Sequence, residues 1–122
     1  MTKDTVTAVI GVSSNPSKFG YRIFKSLCDA GYSVYGVSRV CGELFGRKLY
    51  GSVSELPQAP QTALLVVPPE VTLSLVKECA AAGVKTFWMQ PGADSDEAEQ
   101  AARAAGMQTV RGACFMVREG VW

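Results

Sequence analysis

The chain has 122 residues, of which 48% are hydrophobic, and a formal net charge of +1. This length and apolar content predict one domain over residues 1–122 and leave no room for a second, substrate-binding domain. The 12 Lys and Arg residues are scattered, so nothing favours a nucleic-acid or membrane partner. No apolar run approaches the about 18 residues that span a bilayer. No signal-peptide core begins the chain, so we expect a cytoplasmic protein.

The chain contains four cysteines and no histidine. None of the cysteines form a C-x-x-C pair, so we expect no metal site. Cys28 and Cys79 fall in helical patterns and are predicted to be buried thiols, whereas Cys41 falls in a predicted loop and is a candidate reactive thiol. Without histidine the commonest general base is missing, and Ser-His-Asp and Cys-His arrangements are excluded. Catalysis by this chain is therefore less favoured but not excluded, and we assign no catalytic residue.

The first half of the chain predicts three strands and one helix. The apolar, β-branched run Thr5–Val12 is typical of a strand buried on both faces. Apolar residues at helical spacing predict a helix over 20–31, ended by Gly31. A second strand is predicted over Tyr32–Ser38. The irregular segment that follows is expected to contain a short strand near 48–52 and one helical turn near 52–56.

The second half continues the alternation of strand and helix. The predicted elements are a strand over Thr62–Val67, a helix over 69–83, a strand over 84–89, a helix over Asp94–Gly106 and a strand over Met107–Val110. Pro69 suits the first turn of its helix, and Asp94 with Glu97 has the spacing of a capping box. The tail 111–122 is partly apolar and is expected to dock on the body.

Strands that alternate with helices predict an α/β, Rossmann-like three-layer fold. We expect a five-stranded, mostly parallel sheet in the order 3-2-1-4-5 with right-handed crossovers. Such sheets bind ligands outside the carboxyl ends of their strands, where the strand order reverses. This topology predicts that residues 12–20 and 67–71 meet at one crevice.

The loop after the first strand is a candidate phosphate site. Only Gly11 has a clear counterpart in the G-x-G-x-x-G fingerprint, and Ser13 and Ser14 follow it. The next helix begins with Lys18 and Arg22 and no acidic residue, although its N-terminus carries a partial positive charge. A bound anion would balance that charge. The alternative is an ordinary loop whose serines cap the helix.

Two further segments indicate what kind of phosphate-containing ligand the candidate site would bind. An NAD site needs an acidic residue after the second strand, but this chain has Ser38 and Arg39 there and no acid before Glu43. Arginine favours a ligand with an additional phosphate near the ribose, such as NADP or coenzyme A, unless Arg39 points to solvent. The segment Val66–Val71 reads VVPPEV and offers a flat apolar wall for adenine or pantetheine, or forms a plain turn.

Taken together, the chain resembles the stand-alone, Rossmann-type CoA-binding proteins, which are related to the CoA-binding N-terminal domain of the succinyl-CoA synthetase alpha subunit. The resemblance covers nearly the whole chain. It depends on the segments IGVSSNPSKFGYRIFKSLCDAGYSVYGVS, GRKLYGSVSELP, PPEV, GVKTFWMQPGADSDEA and CFMV. The order and spacing of these segments are more specific than any one of them.

The resemblance implies a site for coenzyme A. The residues implied to hold the diphosphate are Ser13, Ser14, Lys18, Tyr21 and Arg22, beside Gly11. Those implied to approach the adenosine end are Ser38 and Arg39. Those implied to border the ligand or the crevice edge are Val67, Pro68, Val71, Trp88, Gln90 and Gly92.

Our first hypothesis is a protein that binds CoA or acyl-CoA without catalytic residues of its own, as a monomer or homodimer. One alternative is a subunit of a CoA ligase or synthetase whose partner supplies the chemistry, because the resemblance implies that the phosphate-carrying histidine of those enzymes lies outside this domain. Another alternative is an NADP-binding module, although no Tyr-x-x-x-Lys motif is present.

Overall fold

The computed structural model describes residues 4–39 and 42–121. Its strands are β1 Thr7–Ile10, β2 Val34–Val37, β3 Gly42–Leu44, β4 Arg47–Tyr50, β5 Thr62–Leu65, β6 Thr86–Met89 and β7 Gln108–Val110. Its helices are α1 Phe19–Asp29, α2 Pro69–Ala81, α3 Asp96–Ala104 and α4 Phe115–Arg118, with a 3-10 helix at Val53–Glu55. Cys41, the predicted reactive thiol, lies outside the described residues.

The strands form one seven-stranded sheet in the order β3-β4-β2-β1-β5-β6-β7. All neighbours pair in parallel except β3, which pairs antiparallel with β4. The α/β class and the mostly parallel sheet are confirmed, and the predicted order survives as the inner order β4-β2-β1-β5-β6. The predicted number of five strands was wrong, because one short strand is added at each edge.

Strand β3 could not be recognised from its sequence. Gly42 and Glu43 are exposed, and Leu44 is half-buried, so the segment lacks the alternation that marks a strand with one buried face. It forms because a two-residue turn at Phe45 and Gly46 folds it back on β4, with Leu44 opposite Arg47. The opposite edge strand, β7, falls within the segment predicted over Met107–Val110.

The central strand β1 is buried on both faces, as its sequence predicts. Ala8 and Ile10 belong to the core that faces α2 and α3. Val9 packs in the second core with residues of α1 and α4. The sheet is therefore covered on both sides, which leaves its carboxyl edge as the place where strand ends and helix starts meet.

The start of α3 differs from the predicted capping box by one residue. Ser95 is the N-cap, and its Oγ accepts a hydrogen bond from the Ala98 N–H at 3.2 Å. Asp94 instead accepts from the Gly92 N–H at 3.2 Å and pairs with Arg111 at 2.7 Å. The prediction was wrong because Asp94 has a stronger, cationic partner on the segment after β7.

The tail docks on the body as predicted. Phe115 and Met116 are fully buried in the core beside α1. The buried Gln90 holds the tail, because its Oε1 accepts the Phe115 N–H at 2.7 Å. Trp88 Nε1 donates to the Ala113 carbonyl at 3.0 Å. The end of β6 and the tail therefore form one unit.

Helices α1 to α4, within the described ranges, are all too short or too polar to cross a membrane. Across the same ranges, the His, Cys, Asp and Glu side chains form no group of three or more that could hold a metal ion.

Candidate ligand-binding cleft

A cleft of about 820 Å³ opens at the carboxyl ends of the central strands. Its volume falls within the range of about 300–1,000 Å³ that is usual for small-molecule sites. The residues that line it are Ile10, Gly11, Val12, Ser13, Ser14, Val37, Ser38, Arg39, Gly42, Glu43, Leu49, Gly51, Val66, Val67, Pro68, Glu70, Val71, Ser74 and Leu75. The two predicted segments, 12–20 and 67–71, thus both contribute to this cleft.

Two glycines permit close packing at the first loop, and one of them, Gly11, lines the cleft. Gly11 has a φ of +107°, and a Cβ there would collide with the Val66 carbonyl oxygen. A Cβ on Gly20 would collide with the Gly11 carbonyl oxygen. These are two of the roles that glycines have in dinucleotide loops: a tight turn after the strand and close packing of helix on strand. The role of Gly20 was hidden in the sequence by the long loop before it.

Asn15 organises the loop that carries Ser13 and Ser14. Its N–H donates to the Ser13 Oγ at 3.1 Å, and its Oδ1 accepts from the Ser17 N–H at 3.0 Å and the Ser17 Oγ at 2.8 Å. The N-cap of α1 is Lys18, which makes no side-chain capping hydrogen bond. The alternative of serines that cap the helix therefore does not apply.

The helices that start at this edge differ in charge. The first turn of α1 contains no acidic residue. By contrast, α2 begins with Pro68 as N-cap, has Pro69 at its first position and Glu70 in its first turn. Proline has no N–H to donate, and Glu70 offsets the partial positive charge of the helix end. Of the two helix starts, α1 is therefore the one suited to an anion.

The adenosine side of the cleft predicted from the sequence lies at the end of β2. Ser38 is buried, and its N–H donates to the Tyr50 carbonyl at 2.8 Å. Arg39 is exposed and lines the cleft. Glu43 of β3 and Glu70 of α2 also line it, so Arg39 and two carboxylates belong to the described lining of the same cleft. The sequence had placed Glu43 too far along the chain to matter, because the β3–β4 hairpin was not foreseen.

The connection from β4 to β5 widens the cleft. Crossovers between parallel strands usually contain an α-helix, but this one contains only the 3-10 helix Val53–Glu55. Its Val53 N–H donates to Glu78 Oε1 on α2 at 3.1 Å. The space that a full helix would fill stays open beside Ser74 and Leu75 of α2, which line the cleft. Neither residue was predicted, since nothing in the local sequence reports a missing helix.

The remaining predicted site residues do not line the cleft. Tyr21 packs its ring edge-on against Phe45, with centroids 5.1 Å apart. The Arg22 guanidinium lies 5.5 Å above the exposed Phe19 ring. Lys18 is exposed at the start of α1. Lys18 and Arg22 therefore stay within the first turn of the anion-suited helix, whereas Tyr21 is engaged with the hairpin.

Gln90 and Gly92 lie at the end of β6, away from the cleft lining. Both ends of the Gln90 amide are used within the chain: Oε1 accepts from Phe115, and Nε2 donates to Cys114 Sγ at 3.4 Å. Gly92 is exposed and turns with a φ of +96°. Trp88 is buried in the core beside Phe115. In the structure, the W-x-Q-x-G segment therefore helps to hold the tail.

The described cysteines differ in reactivity. Burial raises the pKa of Cys79 to about 12 and also raises the pKa of Cys28. Cys28 is only half-buried, so its predicted full burial was wrong. Burial alone would raise the pKa of Cys114, but hydrogen bonds from the Gln90 amide and from backbone N–H groups outweigh it and lower that pKa. Cys114 is thus the most readily ionised of the three.

A parallel sheet in this strand order, with a cleft at its carboxyl edge between two helix starts, defines a Rossmann-like ligand-binding domain. Residues 5–119 match the CoA binding domain family, and the chain belongs to that family. The chain is also similar to the alpha subunit of ADP-forming acetate–CoA ligase I from Pyrococcus furiosus, with 42% identity over 84 residues. That match covers 64% of this chain but only 18% of the ligase subunit.

Solved structures of small proteins match the chain more completely. A conserved hypothetical protein from Pyrococcus furiosus shares 41% identity and a TM-score of 0.86, over 92% of this chain and 97% of the other. A hypothetical protein from Pyrococcus horikoshii shares 31% identity and a TM-score of 0.90, over 96% of this chain and 82% of the other. The fold thus occurs both in ligase subunits and in chains of similar size.

Proposed function

We propose that this protein binds coenzyme A or acyl-CoA in the cleft at the carboxyl edge of its sheet. The observation that carries the proposal is the convergence on one cleft of predicted site residues from three segments of the chain. Ser13 and Ser14 come from the first loop, Arg39 from the end of β2, and Val67 with Pro68 from the end of β5. Membership of the CoA binding domain family supports the choice of ligand.

The residues present fit the chemistry of CoA. Hydroxyls of Ser13 and Ser14 and the acid-free start of α1 suit a diphosphate. Arg39 suits the 3′-phosphate. The apolar groups of Val67, Val71 and Leu75 suit the adenine or the pantetheine arm. In this proposal the chain binds and orients the ligand and contributes no catalytic residue of its own. The chain contains no histidine, so the commonest general base at neutral pH is missing.

Isothermal titration with CoA, NADP and NAD tests the proposal. We expect binding of CoA and no measurable binding of NAD, because Arg39 suits the additional phosphate of CoA, which NAD lacks. Glu43 reaches the cleft from β3 and not from the end of β2, where NAD sites carry their ribose-binding acid. Native mass spectrometry of freshly purified protein identifies a retained ligand by its mass. NAD binding as strong as or stronger than CoA binding would refute the assignment. NADP binding that is tighter than CoA binding would favour the alternative of an NADP-binding module.

A second candidate function is that of a module in a CoA ligase, and the similarity to the acetate–CoA ligase alpha subunit favours it. The chain spans about a fifth of that subunit, so any ligase activity depends on further domains or a partner. Co-purification of a second subunit, followed by CoA-dependent acetate activation by the complex and not by this chain alone, would support it.

A further inference from the structure

One residue in the β3–β4 hairpin has an unfavourable backbone conformation for its type. Phe45 has a φ of +56° and is the non-glycine residue with positive φ among residues 4–39 and 42–121. With Gly46 at +72°, it forms a two-residue turn in which both residues are left-handed. Asn, Asp or Gly are preferred at the first position of such turns, and a bulky residue there is a genuine outlier.

The contacts of its ring explain why a phenylalanine stands at position 45. It lies 5.1 Å from the Tyr21 ring, edge-on, and 6.0 Å from the Phe24 ring, both on α1. Phe24 is fully buried, while Phe45 itself is 37% exposed. The ring therefore joins the tip of the hairpin to α1, and these contacts compensate the left-handed backbone.

The hairpin depends on this contact because it lies at the edge of the sheet. Strand β3 pairs only with β4, over the short register from Gly42 to Leu44. Leu44 is half-buried and packs against the core that contains Phe24. The aromatic contact of Phe45, in the turn after β3, is a further attachment of the hairpin to the body of the protein.

The same hairpin forms one wall of the proposed ligand cleft. Gly42 and Glu43 of β3 line the cleft, together with Leu49 of β4, and Arg39 lines it just before β3. The opposite partner, Tyr21, lies in the first turn of α1, the helix whose start is suited to the phosphates. The ring contact thus fixes the wall of the cleft relative to the proposed phosphate end.

We propose that Phe45 is a positioning residue that latches the β3–β4 hairpin onto α1 and so sets the affinity of the cleft for its nucleotide ligand. This inference rests on the proposed function. Phe45 touches no ligand in this scheme. It acts because a wall that is already in place costs less ordering when the ligand binds.

The variant Phe45→Asn removes the ring contact with α1 and keeps a residue that suits the turn. Asparagine suits the turn better than phenylalanine but has no ring to contact Tyr21. Phe45→Tyr is the matched control, since it keeps both the ring and the left-handed backbone. We expect Phe45→Asn to weaken CoA binding in calorimetry by about fivefold or more, with Phe45→Tyr close to wild type. Unchanged affinity in Phe45→Asn would overturn the proposal.

Hydrogen exchange without ligand provides a readout that does not depend on CoA. We expect faster exchange at the amides of residues 42–50 in Phe45→Asn, with exchange in β1 and β5 unchanged. Equal exchange in the hairpin of the variant and wild type would overturn the latch. If wild-type protein does not bind CoA, the proposed function fails, and the exchange experiment still decides whether Phe45 holds the hairpin.

Tyr21→Ala alone covers the case in which Phe45→Asn folds poorly, and where both variants fold, a double-mutant cycle shows whether the two rings act as a pair. Tyr21→Ala removes the same contact from the side of the helix and leaves the turn intact. We expect the effect of Tyr21→Ala on hairpin exchange to be at least halved in the Phe45→Asn background, because the two rings act as a pair. Fully additive effects would show that the rings act independently and would overturn the proposal.

Discussion

In the proposed function, Arg39 is the cleft residue expected to distinguish CoA from ligands without a phosphate on the ribose. It is exposed and lines the cleft beside the buried Ser38. If it binds the 3′-phosphate, wild-type protein should prefer CoA over dephospho-CoA by about tenfold or more, because a charge-assisted hydrogen bond contributes ~1.5–3 kcal/mol. Arg39→Ala should lose most of that preference and keep its affinity for dephospho-CoA, as measured by calorimetry with both ligands.

Arg103→Ala is the control for Arg39. It removes an exposed guanidinium from α3, where Arg103 contacts Glu99 and Thr109 outside the cleft lining. This variant should keep the wild-type preference. If Arg39→Ala still prefers CoA as strongly as wild type does, Arg39 faces solvent and another cation binds the phosphate. Lys48 and Arg47 on β4 would then be the next residues to test.

Lys18 tests the position of the diphosphate. It is the exposed N-cap residue of α1, a helix start without an acidic residue. Lys18→Glu places a negative charge there and should weaken CoA binding by roughly 1–3 kcal/mol without unfolding the protein. Lys85→Glu is the matched control, because Lys85 is exposed before β6, at the amino edge of the sheet.

Calorimetry of both lysine variants, with circular dichroism to verify folding, decides this prediction. An equal loss of affinity in Lys18→Glu and Lys85→Glu would show a general effect of net charge. Wild-type affinity in Lys18→Glu would place the phosphates away from the start of α1. Arg22→Glu, in the same turn of α1, should behave like Lys18→Glu.

At the scale of elements, the sequence predicted what local pattern determines. The helix and strand positions follow from apolar periodicity, and Pro69 begins α2 where proline is tolerated. The hairpin escaped prediction because its turn contains Phe45 in a conformation that Asn or Gly usually adopts. The Phe45 ring instead contacts Tyr21 and Phe24 of α1, and tertiary contacts of this kind leave no local signal.

The link between β7 and α3 gives a prediction about pH. Arg111 donates to Asp94 at 2.7 Å and to Asp96 at 2.6 Å. The hydrogen bond from Arg111 holds the pKa of Asp94 below its ordinary value. Because the folded-state pKa is depressed, this contribution to stability is complete above the unfolded pKa of about 3.9. It is lost as the pH falls through the folded-state pKa.

Arg111→Met should therefore flatten the acid limb of the stability curve. The free energy of unfolding in urea, measured from pH 7 down to pH 2, should fall less steeply below about pH 4 in the variant. Lys25→Met is the control, because it removes an exposed pair with Asp29 that surface exposure makes weak. Acid limbs of equal slope in wild type and Arg111→Met would contradict the prediction.

At the scale of the whole molecule, the site could be predicted only where chain direction determines it. Parallel strands bring the ends of β1 and β5 to one edge, so residues 12–20 and 67–71 were predicted to meet. Gln90 was assigned to the crevice through the family resemblance, yet both ends of its amide bind the tail. Ser74 and Leu75 joined the cleft because a short 3-10 helix replaces a full crossover helix, which only the folded chain reveals.

The whole molecule should also report its ligand through its stability. A ligand that binds only the folded state at 100 times its dissociation constant stabilises it by about 2.7 kcal/mol. The ligand would contact the ends of three central strands, so this gain should appear in global unfolding and not only in local opening.

We expect CoA to raise the midpoint of thermal unfolding by several degrees, with an increase that grows with the logarithm of its concentration. NAD at the same concentrations should leave the midpoint unchanged, because NAD lacks the additional phosphate that Arg39 suits, and Glu43 reaches the cleft from β3 and not from the end of β2. Differential scanning calorimetry measures both, and Arg39→Ala should show a smaller shift with CoA than wild type at equal concentration. Equal shifts of the unfolding midpoint with NAD and CoA would mean that the cleft recognises only the adenosine diphosphate that the two ligands share.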